Sequence, residues 1–307
     1  MRAAAARLTA VNFYAGGPLN RASWLRNSAA FLNRAVQSAE ARFLLLSDGD
    51  PLVWRGGEPC RRVAFVPWDR VAGSVQQSVH AVSAVRGADV FGADAYGLRA
   101  RADAEPKHWA RATESIVSPL LSLAFLGIKE REGAASSVEP VGTPYFALAL
   151  RADTPTAALK AELVDGGEAP CEVLDMRSVV LTGALDEADA PFVAYARTLL
   201  DWNERHRFCP ACAQRQYSVW AGHKRSCAGS LAALAEPHPV LEHLGARPGV
   251  CASLRSVQNY TYPRSDPVII VGILSADGER ILLGRQKAWP TGFYSCIACV
   301  ATEWGGS

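Results

Sequence analysis

The stretch Cys209-Pro-Ala-Cys212 places two thiols three positions apart, directly after a predicted helix. Two cysteines at this spacing can both face one tetrahedral Zn²⁺, with the intervening backbone amides directed at the sulfurs. Two more thiols follow, Cys227 after 15 positions and Cys251 after a further 24. The spacing predicts a zinc ribbon with four ligands: Cys209, Cys212, Cys227 and Cys251.

Other interpretations of these cysteines stay open. His238 and His243 lie in the long gap before Cys251 and compete with it as the fourth ligand. The thiols could also form a redox pair or be simply buried. A redox pair usually follows a strand and opens a helix, whereas this one follows a helix, which favours zinc. The remaining cysteines show no ligand spacing and are expected to be core or loop thiols: Cys60, Cys171, Cys296 and Cys299.

The residues before the cysteine pair alternate helical and strand patterns. Ser23 is predicted to cap an amphipathic helix over 23–42, with its apolar residues on one stripe of period 3.6. A turn at 47–51 separates two predicted strands, 43–46 and 52–54. Segments 87–114 and 130–142 have the composition of surface loops. We expect a mixed α/β domain over 1–205, completed by strands at 63–68, 145–150 and 178–181 and a helix at 186–206.

The pattern changes again near residue 260. Residues 268–274 form a continuous apolar run, which predicts a buried strand. Ser275-Ala-Asp-Gly-Glu279 is predicted to be a hairpin turn, with its returning strand at 281–285.

Composition excludes several classes of protein. The 307 residues are 49% hydrophobic and 20% charged, which is typical of folded chains. The net charge is +2 and no dense run of Lys and Arg occurs, so nucleic-acid binding is not expected. The longest apolar stretch, 116–128, is interrupted by Ser118, Pro119 and Gly127 and is too short to span a membrane. The first residues lack the apolar core of a secretory signal, so an intracellular, reducing compartment is expected.

Several segments together resemble a known family: Asn12-Phe-Tyr-Ala-Gly-Gly-Pro-Leu-Asn-Arg21, Arg42-Phe-Leu-Leu-Leu46, 199–212, Tyr262-Pro-Arg-Ser-Asp-Pro-Val-Ile-Ile270, 283–287 and 292–298. In these segments the chain is similar to the NADH pyrophosphatases, a branch of the Nudix hydrolases. The resemblance implies an α+β fold in three parts. These are a Nudix-like mixed α/β domain over 1–205, a zinc ribbon over 206–262, and the first strands of an incomplete Nudix α/β/α domain over 263–307. It also implies homodimers that hydrolyse the NADH or NAD⁺ pyrophosphate to nicotinamide mononucleotide and AMP.

The chain departs from the family at the catalytic box, G-x5-E-x7-R-E-U-x-E-E-x-G-U, where U is a bulky aliphatic residue. The first glycine of the box should stand at Cys299, and Glu303 is the one carboxylate that follows. In the family, several glutamates of the box hold Mg²⁺ or Mn²⁺ across the pyrophosphate. We therefore expect no catalytic residue and no Mg²⁺ or Mn²⁺ site in this chain, which resembles a family member truncated before its active site.

Tyr262 is the one candidate for substrate contact. The aromatic residue before the Y-P-R proline lies beside a base of the dinucleotide in the family, which implies stacking by Tyr262. An ordinary strand-edge tyrosine is the alternative. Arg264 and Asp266 are expected to fix a turn, and Arg285 and Lys287 to be solvated.

Three functions compete at this stage. The first is an NAD(H) diphosphatase by descent, and the second is a non-catalytic zinc-ribbon protein that dimerises or binds another molecule. The third is a thiol oxidoreductase that uses Cys209 and Cys212. The resemblance leaves cytoplasm and peroxisome as compartments, and Gly305-Gly-Ser307 is not a peroxisomal signal.

Overall fold

The computed structural model describes residues 13–14, 17–56, 61–132, 138–165, 170–249, 251, 260–261, 268–287 and 289–300. The chain divides into two compact units, Met1–Tyr262 and Pro263–Ser307. Helices and strands are mixed in the first unit, so the predicted α+β fold class is confirmed. Among the helices of the described ranges, not one is both long and apolar enough to cross a membrane.

A mixed sheet forms the centre of the first unit. Its strands lie in the order β1-β5-β6-β2-β3-β7, and β4 also pairs with β2. The pair β2 and β6 is parallel, and the other pairs are antiparallel. The strands are β1 (Leu19–Asn20), β2 (Arg42–Ser47), β3 (Asp50–Trp54), β4 (Phe65–Pro67), β5 (Leu123–Glu130), β6 (Gly142–Leu150) and β7 (Cys171–Val173).

Helices cover both faces of this sheet. Because side chains alternate along a strand, Phe43 and Leu45 of β2 join the apolar cluster on one face, and Leu44 joins the cluster on the other. The first cluster contains residues of α1 and α2, and the second contains residues of α7. The helices are α1 (Ala29–Val36), α2 (Trp68–His80), α3 (Ala93–Tyr96), α4 (Pro106–Thr113), α5 (Thr156–Lys160), α6 (Met176–Thr182) and α7 (Ala190–Arg205), with a 3-10 turn at Ser23–Leu25 and a π-helical turn at Ala161–Asp165.

The local predictions that depend on turn chemistry are confirmed. Ser47 pairs with Asp50, so Asp48 and Gly49 form a two-residue loop between β2 and β3. Both loop residues have positive φ, 53° and 86°, as the tight hairpin turn favoured by Asp-Gly requires. The predicted strands at 63–68 and 145–150 correspond to β4 and β6, and the predicted helix at 186–206 corresponds to α7.

Two predicted elements are wrong in type or length. The helix expected over 23–42 is only α1, because Ser28 rather than Ser23 caps it by accepting a hydrogen bond from the Phe31 amide. Residues 178–181, expected to be a strand, belong to α6. The Asp175 carboxylate caps this helix by accepting hydrogen bonds from the amides of Arg177 and Ser178. This N-cap outweighs the strand propensity of the β-branched residues that follow.

The segment 87–114 is more ordered than the predicted surface loop. It contains α3 and α4, and Val90, Phe91 and Tyr96 are buried. The Asn33 side chain of α1 accepts hydrogen bonds from the amides of Val90 and Phe91, at 2.9 Å each. Because their amides are satisfied, Val90 and Phe91 can be buried, while much of 99–111 stays exposed.

The residues after α7 form a small antiparallel sheet in the order β10-β9-β8. The strands are β8 (Gln216–Val219), β9 (Lys224–Cys227) and β10 (Tyr260–Thr261), and two helices follow β9, α8 (Ala228–Leu234) and α9 (Pro239–His243). Side chains from β8 and α8 belong to the same apolar cluster as Phe125 of β5. Residues on both sides of position 206 therefore share one hydrophobic core.

The turn between β8 and β9 contacts β5 directly. The Ala221 carbonyl accepts a hydrogen bond from the Phe125 amide at 2.9 Å. The buried His223 Nε2 donates to the Phe125 carbonyl at 2.7 Å, and Asn203 Nδ2 of α7 donates to the Gly222 carbonyl at 2.7 Å. Two hydrogen bonds to β5 and one to α7 therefore hold this turn in place.

The second unit contains a two-stranded antiparallel sheet, β11 (Val268–Val271) and β12 (Ile297–Val300). The predicted hairpin turn is confirmed, since the Ser275 amide donates to the Arg280 carbonyl at 2.9 Å. In place of the returning strand, the described residues show isolated bridges, of Leu274 with Ile281 and of Gly284 with Ser295. The predicted burial of 268–274 is wrong for Ile270, which is 70% exposed, because two strands alone cannot cover their faces.

Candidate metal centre

The four predicted cysteines lie together in the first unit. The sulfur atoms of Cys209, Cys212, Cys227 and Cys251 are all within 4.8 Å of one another. Cys212 is half-buried and the other three are buried. All four are free thiols. Because the sulfurs converge from three separate stretches of chain, the cluster ties these stretches to one point.

Backbone geometry directs the first two sulfurs inward. The Cys209 amide donates to the Gln214 carbonyl at 2.7 Å, and the Ala213 amide donates to the Cys209 carbonyl at 2.8 Å. Ala213 has a φ of 58°, which closes the turn after Cys212. The Gln214 amide donates a hydrogen bond to the Cys212 sulfur.

Cys227 is held in an equivalent way. It ends β9 and stands at the N-cap of α8. The amides of Gly229 and Ser230 donate hydrogen bonds to its sulfur. Amides directed at two of the sulfurs stabilise negative charge on them, which is the form of cysteine that binds metals.

The sulfur spacing fits a tetrahedral ion. Four sulfurs at the usual zinc–sulfur distance of about 2.3 Å stand about 3.8 Å apart. The Cys209 and Cys251 sulfurs are 3.8 Å apart, and the Cys212 and Cys227 sulfurs are 3.4 Å apart. An all-thiolate set of this size matches Zn²⁺ better than the harder ions Mg²⁺ or Ca²⁺, which prefer oxygen ligands.

Burial opposes ionisation of the thiols on their own. It raises the pKa of Cys227 to about 12 and also raises the pKa of Cys212. Neutral thiols at Cys212 and Cys227 are therefore the expected state at neutral pH without a cation. A divalent cation reverses this by replacing the protons, so metal binding is coupled to proton release.

The competing histidines lie elsewhere. His238 caps α9, where its Nδ1 accepts a hydrogen bond from the Val240 amide at 3.2 Å, and His243 is exposed at the end of the same helix. Neither belongs to the group of converging ligand atoms found among the described residues. Cys171 is buried in β7 and Cys296 is half-buried. Cys60, Tyr262, Arg264 and Asp266 lie outside the described residues, as does the side chain of Cys299.

The sequence interpretation missed a cleft in the first unit. A cavity of about 510 Å³ lies at the carboxyl ends of the parallel strands β2 and β6, beside α7. Arg151 pairs there with Glu204 at 2.8 Å and with Asp153 at 3.1 Å, and Arg197 pairs with Asp50 at 3.2 Å. Carboxyl ends of parallel strands are a common place for ligand sites. The cleft depends on the pairing of β2 with β6, two strands that are far apart in the sequence, so no local pattern indicates it.

Comparison with known proteins gives consistent matches. Residues 40–202 match the family described as the NADH pyrophosphatase-like rudimentary NUDIX domain. The chain is 30% identical over 287 residues to the "NAD-capped RNA hydrolase" of Schizosaccharomyces pombe, which covers 93% of this chain and 64% of that protein. It is 24% identical over 300 residues to the "NAD-capped RNA hydrolase NPY1" of Saccharomyces cerevisiae, covering 94% and 66%. It is 39% identical over 114 residues to the human "NAD-capped RNA hydrolase NUDT12", covering 37% and 21%. The chain thus spans less than two thirds of the length of these relatives.

Proposed function

Since this chain belongs to the NADH pyrophosphatase branch of the Nudix hydrolases, we propose that the protein takes part in hydrolysis of the pyrophosphate bond in NAD-type dinucleotides. The products of that reaction are nicotinamide mononucleotide and AMP. The match of the family domain to 40–202 carries this proposal. The proposed organisation has three parts: the Nudix-like domain over 1–205, the zinc ribbon over 206–262 and the start of a Nudix hydrolase domain over 263–307.

The proposed substrate is NADH or NAD⁺, free or as the cap of an RNA. The names of the yeast and human relatives support the capped form. Both forms present the same pyrophosphate between two nucleosides. Tyr262 is proposed to stack on one of the bases, as the family resemblance implies.

The proposed role of Zn²⁺ is structural. Cys209, Cys212, Cys227 and Cys251 would hold it, and four thiolates leave no open coordination position for a reacting water. The ion would join the turn before β8, the end of β9 and the segment before β10. Dimerisation is proposed on the family resemblance and on exposed apolar residues such as Ile270 and Leu274.

The hydrolytic step needs groups that residues 1–307 do not contain. Divalent ions held by several carboxylates must stabilise the charge that develops on the phosphoryl oxygens. After Ala298 this sequence offers Glu303 alone. We therefore propose that the 307-residue polypeptide, assayed by itself, does not hydrolyse NADH.

The test is incubation of the purified polypeptide with NADH and Mg²⁺ or Mn²⁺, followed by chromatography for AMP. No AMP above a mock preparation is expected. AMP release at ordinary enzymatic turnover would contradict the proposal and require carboxylates elsewhere in the chain.

A second measurement addresses the family reaction. The transcript is sequenced past codon 298 and translated in all frames. A continuation of the form G-F-x-E-x-G-E supports the diphosphatase. Its absence favours the alternative, a non-catalytic zinc-ribbon protein that dimerises or binds a partner.

A further inference from the structure

A small polar cavity of about 90 Å³ opens in the first unit beside the end of α7 and the strands β8 and β9. It adjoins the larger cleft at β2 and β6, and the two share Ser122, Arg151 and Glu204. Four arginines line the small cavity: Arg151, Arg207, Arg215 and Arg225. No step of the proposed reaction uses them.

Positive charge exceeds negative charge in this cavity. Glu204 is the one carboxylate in its lining, and it pairs with Arg151 at 2.8 Å and with Arg207. Arg215 and Arg225 have no carboxylate partner among the residues that the structure describes. Arg225 is half-buried, and a charge taken out of water is normally paired with an opposite charge.

Two donors in the lining lack an acceptor. Arg225 donates to the Asn203 side chain at 3.2 Å and to the Gln216 carbonyl at 2.8 Å, and both acceptors are neutral. Its Nε atom is buried and has no hydrogen-bond partner in the described part of the chain. The same holds for the hydroxyl of Ser218, a residue that is only 8% exposed. Buried donors without acceptors are rare, because their desolvation is not compensated.

One class of ligand answers both features. A tetrahedral oxyanion carries the missing charge and accepts several hydrogen bonds at once, and the planar guanidinium group is well matched to phosphate oxygens. The volume has room for about three water molecules at about 30 Å³ each, which suits a phosphate group but not a base. The adjoining cleft of about 510 Å³ has apolar walls, including Leu46, Leu150 and Leu200, that suit a base.

We propose that the cavity of Arg207, Arg215, Arg225 and Ser218 is a binding site for a phosphate group, either free or as part of a mononucleotide. The site goes beyond the proposed hydrolysis, because it is a binding site that needs no catalytic carboxylate. In the mononucleotide case the base occupies the adjoining cleft.

The test is equilibrium dialysis of the full 307-residue chain against radiolabelled inorganic phosphate and, separately, labelled AMP. One molecule bound per chain is expected. Equal affinity for both ligands assigns the site to free phosphate, and tighter binding of AMP assigns it to a nucleotide. If neither ligand shows saturable binding at concentrations up to about 10 mM, the proposal is overturned.

Three arginine variants locate the site. Arg225→Gln and Arg215→Gln should each weaken binding about tenfold or more, since each removes a charge-assisted hydrogen bond. Arg205→Gln is the matched control, because Arg205 is exposed on α7, pairs with Asp201 at 2.9 Å and does not line the cavity. If Arg225→Gln fails to fold, the test depends on Arg215→Gln, because Arg215 is exposed and its replacement should not affect folding. Unchanged ligand binding in Arg215→Gln overturns the proposal. Because NADH hydrolysis is not measured, failure here leaves the proposed function standing.

Discussion

The contact between the β8–β9 turn and the central sheet can be tested at one glycine. Gly222 has a φ of 91°, and a Cβ built on it would lie 2.7 Å from the Ala124 Cβ and 3.0 Å from the Ala124 Cα. Carbon atoms prefer separations of about 3.5–4.0 Å. Gly222→Ala therefore requires the turn to move away from β5 by close to 1 Å, which stretches the hydrogen bonds that hold it.

The expected loss of stability has two parts. Overpacking of a tight contact costs about 1–3 kcal/mol. A left-handed backbone conformation for a residue with a Cβ adds about 1–2 kcal/mol. Gly183→Ala is the matched control, because Gly183 also has positive φ, 65°, but nothing lies within 4 Å of its added Cβ. We expect Gly222→Ala to lose about 2–5 kcal/mol of unfolding free energy and Gly183→Ala to lose only the backbone part.

Urea unfolding followed by tryptophan fluorescence measures both variants. The midpoint should fall more in Gly222→Ala than in Gly183→Ala, with similar slopes. Equal losses in the two variants, within about 0.5 kcal/mol, would show that the turn does not press on β5.

Three further predictions address the metal, the pH dependence and the assembly. Cys251→Ser should lose most of the zinc bound per chain and unfold more easily, whereas Cys171→Ser and His238→Ala should keep their zinc. Elemental analysis of the purified variants measures the zinc content. Full zinc in Cys251→Ser together with loss of zinc in His238→Ala would contradict the ligand set. Burial lowers the pKa of His223 to about 3 from 6.5. Between these two values the unfolded chain binds a proton at this histidine and the folded chain does not, so the free energy of unfolding should fall as the pH drops below about 6.5. The contribution of His223 to the change of unfolding free energy with pH approaches about 1.4 kcal/mol per pH unit and should be absent from His223→Gln. Identical pH profiles of stability for the unsubstituted chain and His223→Gln would refute the assignment. Sedimentation at roughly tens of micromolar should reveal a dimer, and Ile270→Lys should weaken it. A clean monomer of the unsubstituted chain would count against dimerisation.

The features predictable from sequence are those fixed over a few residues. Asp48-Gly49 determines its own turn because both positions accept positive φ, and the β2–β3 hairpin follows from it. The spacing of Cys209 and Cys212 likewise limits where two sulfurs can point, and these two lie in the cluster with Cys227 and Cys251.

The features that sequence did not predict depend on distant partners. Val90 and Phe91 lie inside because Asn33, more than 50 residues earlier, satisfies their amides. The polar cavity combines Arg151 with Arg225, which no local pattern relates. For the helix at 176–182, the side-chain cap at Asp175 outweighs the strand propensity of the residues that follow it.

The hydrophobic core shared across position 206 has a consequence for how genes of this family can recombine. Tyr217 on β8 donates a buried hydrogen bond to the Ala112 carbonyl at 2.8 Å, and the Phe125 amide donates to the Ala221 carbonyl. A crossover near codon 206 between diverged homologues would join surfaces that had not accumulated matching substitutions, so side chains such as Tyr217 would no longer fit the surface they pack against. Crossovers near codon 263, where the two compact units meet in sequence, would spare these contacts. We expect residues 1–262 to be inherited as one block, with exchange breakpoints concentrated after it.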